Sequence, residues 1–265
     1  MSYAVVQDSI EVPDQERLKR AFRAVPTLTA VDAQILGRDA FGILVKVHTA
    51  EEANTLVGAL RSEGVGAEAV PEKQLPELPP TKFVKHLSCD AEALTIFDSI
   101  DRVCRVEWAH VMLIAAGNVR LTEFNDVWRD HFLSSTGEVF HSNRDMLGNR
   151  TDFYNKEPKR ETRGERHPRL LLEIVLTGAV QRYSVKADES AVRLFEYLGD
   201  RRTGQLAGDF ALLVRDLMQF APHAVPNRGA YLLRNGQPTF DYPSKNAFQE
   251  EIIWLLCRMA KAGKL

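Results

Sequence analysis

The N-terminal part of the chain sets short apolar runs between amphipathic stretches. Tyr3 to Val6 is a continuous apolar run of strand length, and from Asp14 to Val25 the residues Leu18, Ala21, Phe22 and Val25 recur at spacings of three and four, the single buried stripe of a helix. Val31 to Leu36 and Gly42 to Val47 read as strands joined through the turn Gly37-Arg38-Asp39. Thr49-Ala50-Glu51-Glu52 is a capping box, in which the threonine hydroxyl and the third helical residue satisfy the first amides reciprocally. The helix it opens carries Ala53, Leu56, Val57 and Leu60 on one face and closes at Gly64, and Ala67 to Val70 supplies a last strand. The order is βαββαβ.

Leu75-Pro76-Glu77-Leu78-Pro79-Pro80 suits neither a helix nor an inner strand and reads as a stiff linker. Beyond it, strands are predicted at Lys82–Cys89, Leu94–Asp98, Cys104–Trp108, Val111–Arg120, Leu170–Leu176, Gln181–Lys186 and Leu194–Leu198. Gly208 to Ala221 is a helix with Phe210, Leu213, Val214, Leu217 and Phe220 in its stripe. Ser244 caps a final helix with Phe248, Ile252, Leu255, Leu256 and Met259 in its own. The expected organisation is an α/β module at 1–74, a proline linker at 75–81, and a strand-rich domain at 82–265 with a polar insertion at 134–169 and C-terminal helices.

The βαββαβ order resembles the ferredoxin-like fold of small regulatory and ligand-sensing domains, ACT-type domains included. The later strands and helix, with Cys104-Arg105-Val106-Glu107-Trp108-Ala109-His110-Val111 as a strand-turn-strand piece, are similar to an antiparallel bacterial pleckstrin-homology-like barrel. As a whole the chain looks like bacterial two-domain proteins built from a small α/β module, a proline linker and a barrel. That resemblance implies an α+β, cytoplasmic, non-enzymatic protein and carries over no catalytic residue. Lipid-binding pleckstrin-type domains place cations in the loop between their first two strands. Here that loop is Asp90-Ala91-Glu92, so phosphoinositide binding is not expected.

Charge refines this picture. The net charge of −2 argues against general binding to nucleic acid or anionic membrane. It averages unlike parts, however: residues 1–80 hold 8 Lys+Arg against 12 Asp+Glu, and the remainder of the 34 and 36 gives the rest a net of +2. The N-terminus lacks a basic start followed by a long apolar stretch, and no apolar run approaches membrane-spanning length, which suits a cytoplasmic chain. Cys89, Cys104 and Cys257 are odd in number and sit in or beside apolar segments, as reduced packed thiols do.

Little of the sequence announces chemistry. Gly64-Val65-Gly66-Ala67-Glu68-Ala69 has the letters of a dinucleotide fingerprint, but that loop needs a strand before it and a helix after it, and here the order is reversed. It reads as a helix end and turn. Asp126, Asp130, His131 and His141, with Asp145 nearby, offer the carboxylates and imidazoles that divalent metals take, in a spacing that matches no named motif. Turn-rich solvated sequence accounts for them more simply. Lys156 to Arg169 holds six basic and three acidic residues; Lys159, Arg160, Arg163, Arg166 and Arg169 form a candidate anion-binding arm, weakened by its interleaved glutamates. Arg201 and Arg202 form a second cationic turn, and Trp128 is a candidate anchor for a partner. The sequence therefore points to a non-catalytic protein-binding or scaffold protein that uses sheet edges, helix faces and the insertion to engage a protein partner or itself. No cofactor is expected. The alternatives are a metal-dependent enzyme on the Asp126 cluster and RNA binding through the basic arm.

Overall fold

The computed structural model describes residues 2–264 apart from 26–27, 29–30, 32, 35, 37–39, 99, 128–160 and 188–191, with the backbone alone at 122–127, 161–167 and 192. The chain is mixed α+β. Met1–Arg120 and Pro168–Leu265 together form one compact unit, and Leu121–His167 forms a second, whose described part is the backbone at the ends of two strands.

In the first unit, β1 (Tyr3–Gln7), β2 (Ile43–Val47) and β3 (Ala67–Pro71) form an antiparallel sheet in the order β2-β1-β3. Helices α1 (Gln15–Phe22) and α2 (Ala50–Ser62) cover one face through Leu18, Phe22, Leu56 and Leu60, packed with Val5, Val45 and Val47. Each helix starts where its cap chemistry dictates. Asp14 accepts from the Arg17 amide, and both halves of the Thr49–Glu52 capping box are present. Gly64, at φ +76, ends the second helix before β3, as the order of elements around the glycine pair required.

The strand expected at Val31–Leu36 is not one. Val31, Ala33, Gln34 and Leu36 are helical. On a strand Val31 and Ala33 would share a face, whereas Val31 is 65% exposed and Ala33 fully buried, which the 200° between i and i+2 on a helix permits. The sheet consequently has three strands.

Helix α5 (Lys245–Lys261) lies on the other face of this sheet. Lys46 of β2 bridges Glu250 at 3.2 Å, Glu68 of β3 pairs with Lys261, and the Trp254 indole donates to the Gln7 carbonyl. With helices on both faces, β1 must be apolar on both: Ala4, Val5 and Val6 are all buried, which accounts for a continuous apolar run in place of an alternating one. Trp254 reaches the sheet because residue 42 is glycine. A Cβ there would stand 2.8 Å from the indole, and its φ of +72 disfavours any side chain.

The larger sheet takes β4 (Thr81–Cys89), β5 (Ala93–Asp98), β6 (Val103–Glu107), β7 (Val111–Val127), β8 (Glu161–Leu176), β9 (Arg182–Ala187) and the two-residue β10 (Val225–Pro226) in the order β10-β7-β8-β9-β4-β5-β6; β11 (Asp241–Tyr242) also pairs with β7. Among the described residues this sheet does not close into the expected barrel, nor is it purely antiparallel. The edge of β7 that closure would need is taken by β10 and β11, both parallel to it, and β4 pairs parallel with β9. The proline segment is tied in beside β9, where Pro80 O accepts from the Arg182 amide and from Gln181 Nε2.

Two further differences have local causes. Leu194–Leu198, expected as a strand, lies in the 3-10 segment Val192–Arg201, where Leu194, Phe195 and Leu198 are buried around an exposed Glu196, a pattern that alternation forbids. Strand β8 begins at Glu161, inside the stretch expected as insertion: Glu161-Thr162-Arg163-Gly164-Glu165 has no apolar face to signal it, and pairing with β7 supplies the template. Helices α3 (Leu206–Phe220) and α4 (Arg228–Arg234) cover the sheet, with Phe210, Leu213, Val214, Leu217 and Leu233 meeting Ile114, Leu172, Ile174 and Val185.

The glycines yield a paired expectation. Gly42→Ala is expected to lower stability by about 1–3 kcal/mol through strain and the clash with Trp254. Gly58→Ala, in α2 with open space around it, is expected to raise stability by about 0.5–1 kcal/mol. Thermal melts of the two variants check both signs.

Candidate interaction surface

The described buried acids are Glu173, Asp209, Asp216 and Glu251, and each is matched by one arginine. Arg182 lies 3.2 Å from Glu173, whose other oxygen accepts from Ser184. Arg201 grips Asp216 with both terminal nitrogens, at 3.0 and 2.7 Å, while Tyr197 donates to the same carboxylate. Arg202 reaches Asp209, which also accepts from the amide and hydroxyl of Thr203. A buried carboxylate left alone is costly, so these cations serve the fold. Burial tends to raise the Asp209 pKa, but the Thr203 and Arg202 hydrogen bonds outweigh it and hold the group below its ordinary value.

The fourth pair belongs to a longer network of buried hydrogen bonds. Asn227, 1% exposed, clamps the backbone of Ala116 on β7 from both sides: its Oδ1 accepts from Ala116 N at 2.9 Å and its Nδ2 donates to Ala116 O at 3.0 Å. The same Oδ1 caps α4 by accepting from Ala230 N, and Nδ2 also donates to the Tyr242 hydroxyl. The Tyr242 hydroxyl in turn donates to Glu251 at 2.8 Å, and Glu251 accepts from both the amide and Nε of Arg228. Gly229 makes the clamp possible, since a Cβ there would run into the Ala116 carbonyl. The Arg228 guanidinium lies 3.6 Å from the Phe41 ring centroid and 4.2 Å from that of Phe240. It forms one wall of a groove of about 470 Å³, with Val12, Pro13, Phe41, Phe240 and Pro243 among the apolar residues facing it.

The other surface feature is the β4–β5–β6 end of the large sheet. Strand β6 is the last strand, and its residues are exposed except Val106. Phe97 of β5 stacks on His86 of β4 at 3.8 Å and stands opposite Val103 of β6. Phe83, Ile100 and Val103, exposed by 66%, 67% and 62%, lie at this end of the sheet. Trp108 anchors the far end of β6 by stacking on Phe220 and donating to Asp90 O.

Cys104, expected as a packed thiol, is instead exposed on β6 and accepts from the Tyr183 hydroxyl, whereas the other two thiols are packed. Burial pushes the Cys89 thiol up to about 12 and raises that of Cys257. Of the residues singled out from sequence, Arg201 and Arg202 are held by Asp216 and Asp209, and Arg169 lies half-buried on β8. The backbones of Asp126, Arg163 and Arg166 lie on β7 and β8, while Trp128, Asp130, His131, His141, Asp145, Lys159 and Arg160 lie outside the described residues. Among the described residues no group of three or more His, Cys, Asp or Glu could hold a metal ion, and no helix is long and apolar enough to cross a membrane. Sequence reasoning missed Asn227, Glu251 and Arg228. The one available signal was a buried-stripe helix carrying a glutamate in phase with its apolar residues.

A depressed carboxylate stabilises the fold above its unfolded pKa and loses that contribution as pH falls through its folded pKa. Wild-type Tm is therefore expected to drop below about pH 4, and Asp209→Asn to flatten that drop while lowering Tm at neutral pH. Glu251→Gln, which leaves Arg228 without its counter-charge, is expected to cost about 2–4 kcal/mol in denaturant unfolding, and Tyr242→Phe about 1–2 kcal/mol.

Compared with protein-family models, curated proteins and solved structures, the chain finds no match.

Proposed function

We propose that the chain is a non-catalytic protein-binding or scaffold protein that engages its partner through the open β4–β5–β6 end of the large sheet. The N-terminal layer is then a ferredoxin-like module in which helix replaces the outermost strand, and the second sheet is an opened relative of a pleckstrin-like barrel. The observation that carries the reading is β6 itself: a terminal strand with an exposed edge that carries exposed Val103, with exposed Ile100 just before it in the chain and exposed Phe83 two strands in on β4. Unpaired backbone on such an edge is a template for another strand, and exposed large apolar side chains next to it supply the area that binding needs. The arginine–carboxylate pairs support the same reading, because they commit the buried charges to holding elements together.

The test compares the wild-type chain with Val103→Lys, which sets a cation on the edge without touching the core. Immobilised wild-type protein is expected to retain a protein partner, a second copy included. The variant is expected to bind that partner at least about tenfold more weakly with Tm unchanged. Stoichiometric zinc or manganese lost on replacing His131 and His141, together with equal retention by wild type and variant, would contradict the proposal.

A further inference from the structure

We infer that the partner of β6 is the β6 of a second copy, paired antiparallel about a two-fold axis that passes beside Val106. The inference rests on reading the chain as a binding protein and names the occupant.

Natural sheets protect their edges with proline, lysine, bulges or very short strands. The opposite end of this sheet does so, since β10 is two residues long and one of them is Pro226. Strand β6 has no proline, lysine or bulge: Val103-Cys104-Arg105-Val106-Glu107 makes five pairs with β5 without a register shift, and its two edge charges, Arg105 and Glu107, are of opposite sign and so do not repel every incoming strand. Among the described residues, nothing pairs with its outer side.

Charge then selects the occupant and the register. On an antiparallel edge alternate residues turn their N–H and C=O outward, so two copies related by a two-fold axis must centre on a residue of the strand, not between two residues. Centring on Arg105 sets that cation against itself, and centring on Glu107 opposes two anions. Centring on Cys104 places Arg105 against Val103 without a counter-charge, and centring on Val103 places it against Asp101, which lies beyond the strand at a positive φ and is already held by Lys85. Centring on Val106 sets Arg105 opposite Glu107 of the second copy and Glu107 opposite Arg105 of the second copy, two complementary pairs from one symmetric contact. Arg105 and Glu107 are 56% and 77% exposed. Arg105 reaches Glu92 at 2.7 Å, an exposed pair of the kind that holds a side chain weakly and leaves it able to turn to a new partner.

Sedimentation of the full chain over about a hundredfold range of concentration tests this. The wild type is expected to show a concentration-dependent monomer–dimer equilibrium that weakens as salt is raised, a readout that needs no variant. Arg105→Glu and Glu107→Arg are each expected to raise the dissociation constant at least about tenfold, since each opposes like charges twice. Combining the two reversals is expected to return it to within about threefold of wild type. Each variant's Tm is expected to stay within about 3 °C of wild type, since both side chains are exposed. A chain that stays monomeric throughout overturns the self-pairing, while the binding reading is decided by the retained partner described above. A dimer indifferent to both reversals, or one not restored by the double reversal, places the interface elsewhere and overturns it equally.

Discussion

The interaction on which the rest of this fold depends is the grip of one asparagine on one strand. Asn227 uses all four of its side-chain hydrogen-bonding positions: two on the backbone of Ala116, one on the cap of α4 and one on Tyr242. It therefore acts as a one-residue strand continuing β10 along β7 and as the start of a helix that turns away from that strand. Glycine at 229 lets the helix approach to backbone contact, and Glu251 then ties the first turn of α4 to the middle of α5. Because every member is buried or nearly so, each bond would be expensive to lose, and the position of α5 follows from that of β7.

Helix α5 carries this constraint to the N-terminal sheet. Its apolar residues are not confined to one stripe, since Phe248, Ile252, Trp254, Leu255, Leu256, Cys257 and Met259 are all buried. A helix apolar nearly all round must be covered nearly all round, and here the three-stranded sheet supplies one side. Lys46–Glu250 and Lys261–Glu68 bracket the contact near the helix ends, and Trp254 fills its centre above Gly42. The chain's first strand and last helix are thus packed as neighbours, although most of the sequence separates them.

What could be read from the sequence was what short-range chemistry decides. The caps at Thr49 and Ser244 and the stripes of α1, α2, α3 and α5 depend on residues within a turn or two of one another. The strands β4, β5 and β6 announced themselves as runs. Tertiary pairing decided the rest. Val31–Leu36 and Leu194–Leu198 are apolar runs too short for periodicity to separate strand from helix, and the polar half of β8 is a strand because β7 lies beside it. Arg201 and Arg202 looked like a cationic turn because Asp216 and Asp209 sit on a helix further along the chain, where sequence gives no sign of contact. The same holds for the polar network, whose members lie at 116, 227, 242 and 251.

If the Asn227 network and α5 join the two sheets into one cooperative structure, the sheets must open together. Native-state amide hydrogen exchange measures this directly. The account predicts that the core amides of β1 and of β7 near Ala116 exchange with the same opening free energy, and that Glu251→Gln lowers both equally. Exchange of β1 at a distinctly lower free energy, with that value unmoved by Glu251→Gln, would contradict it.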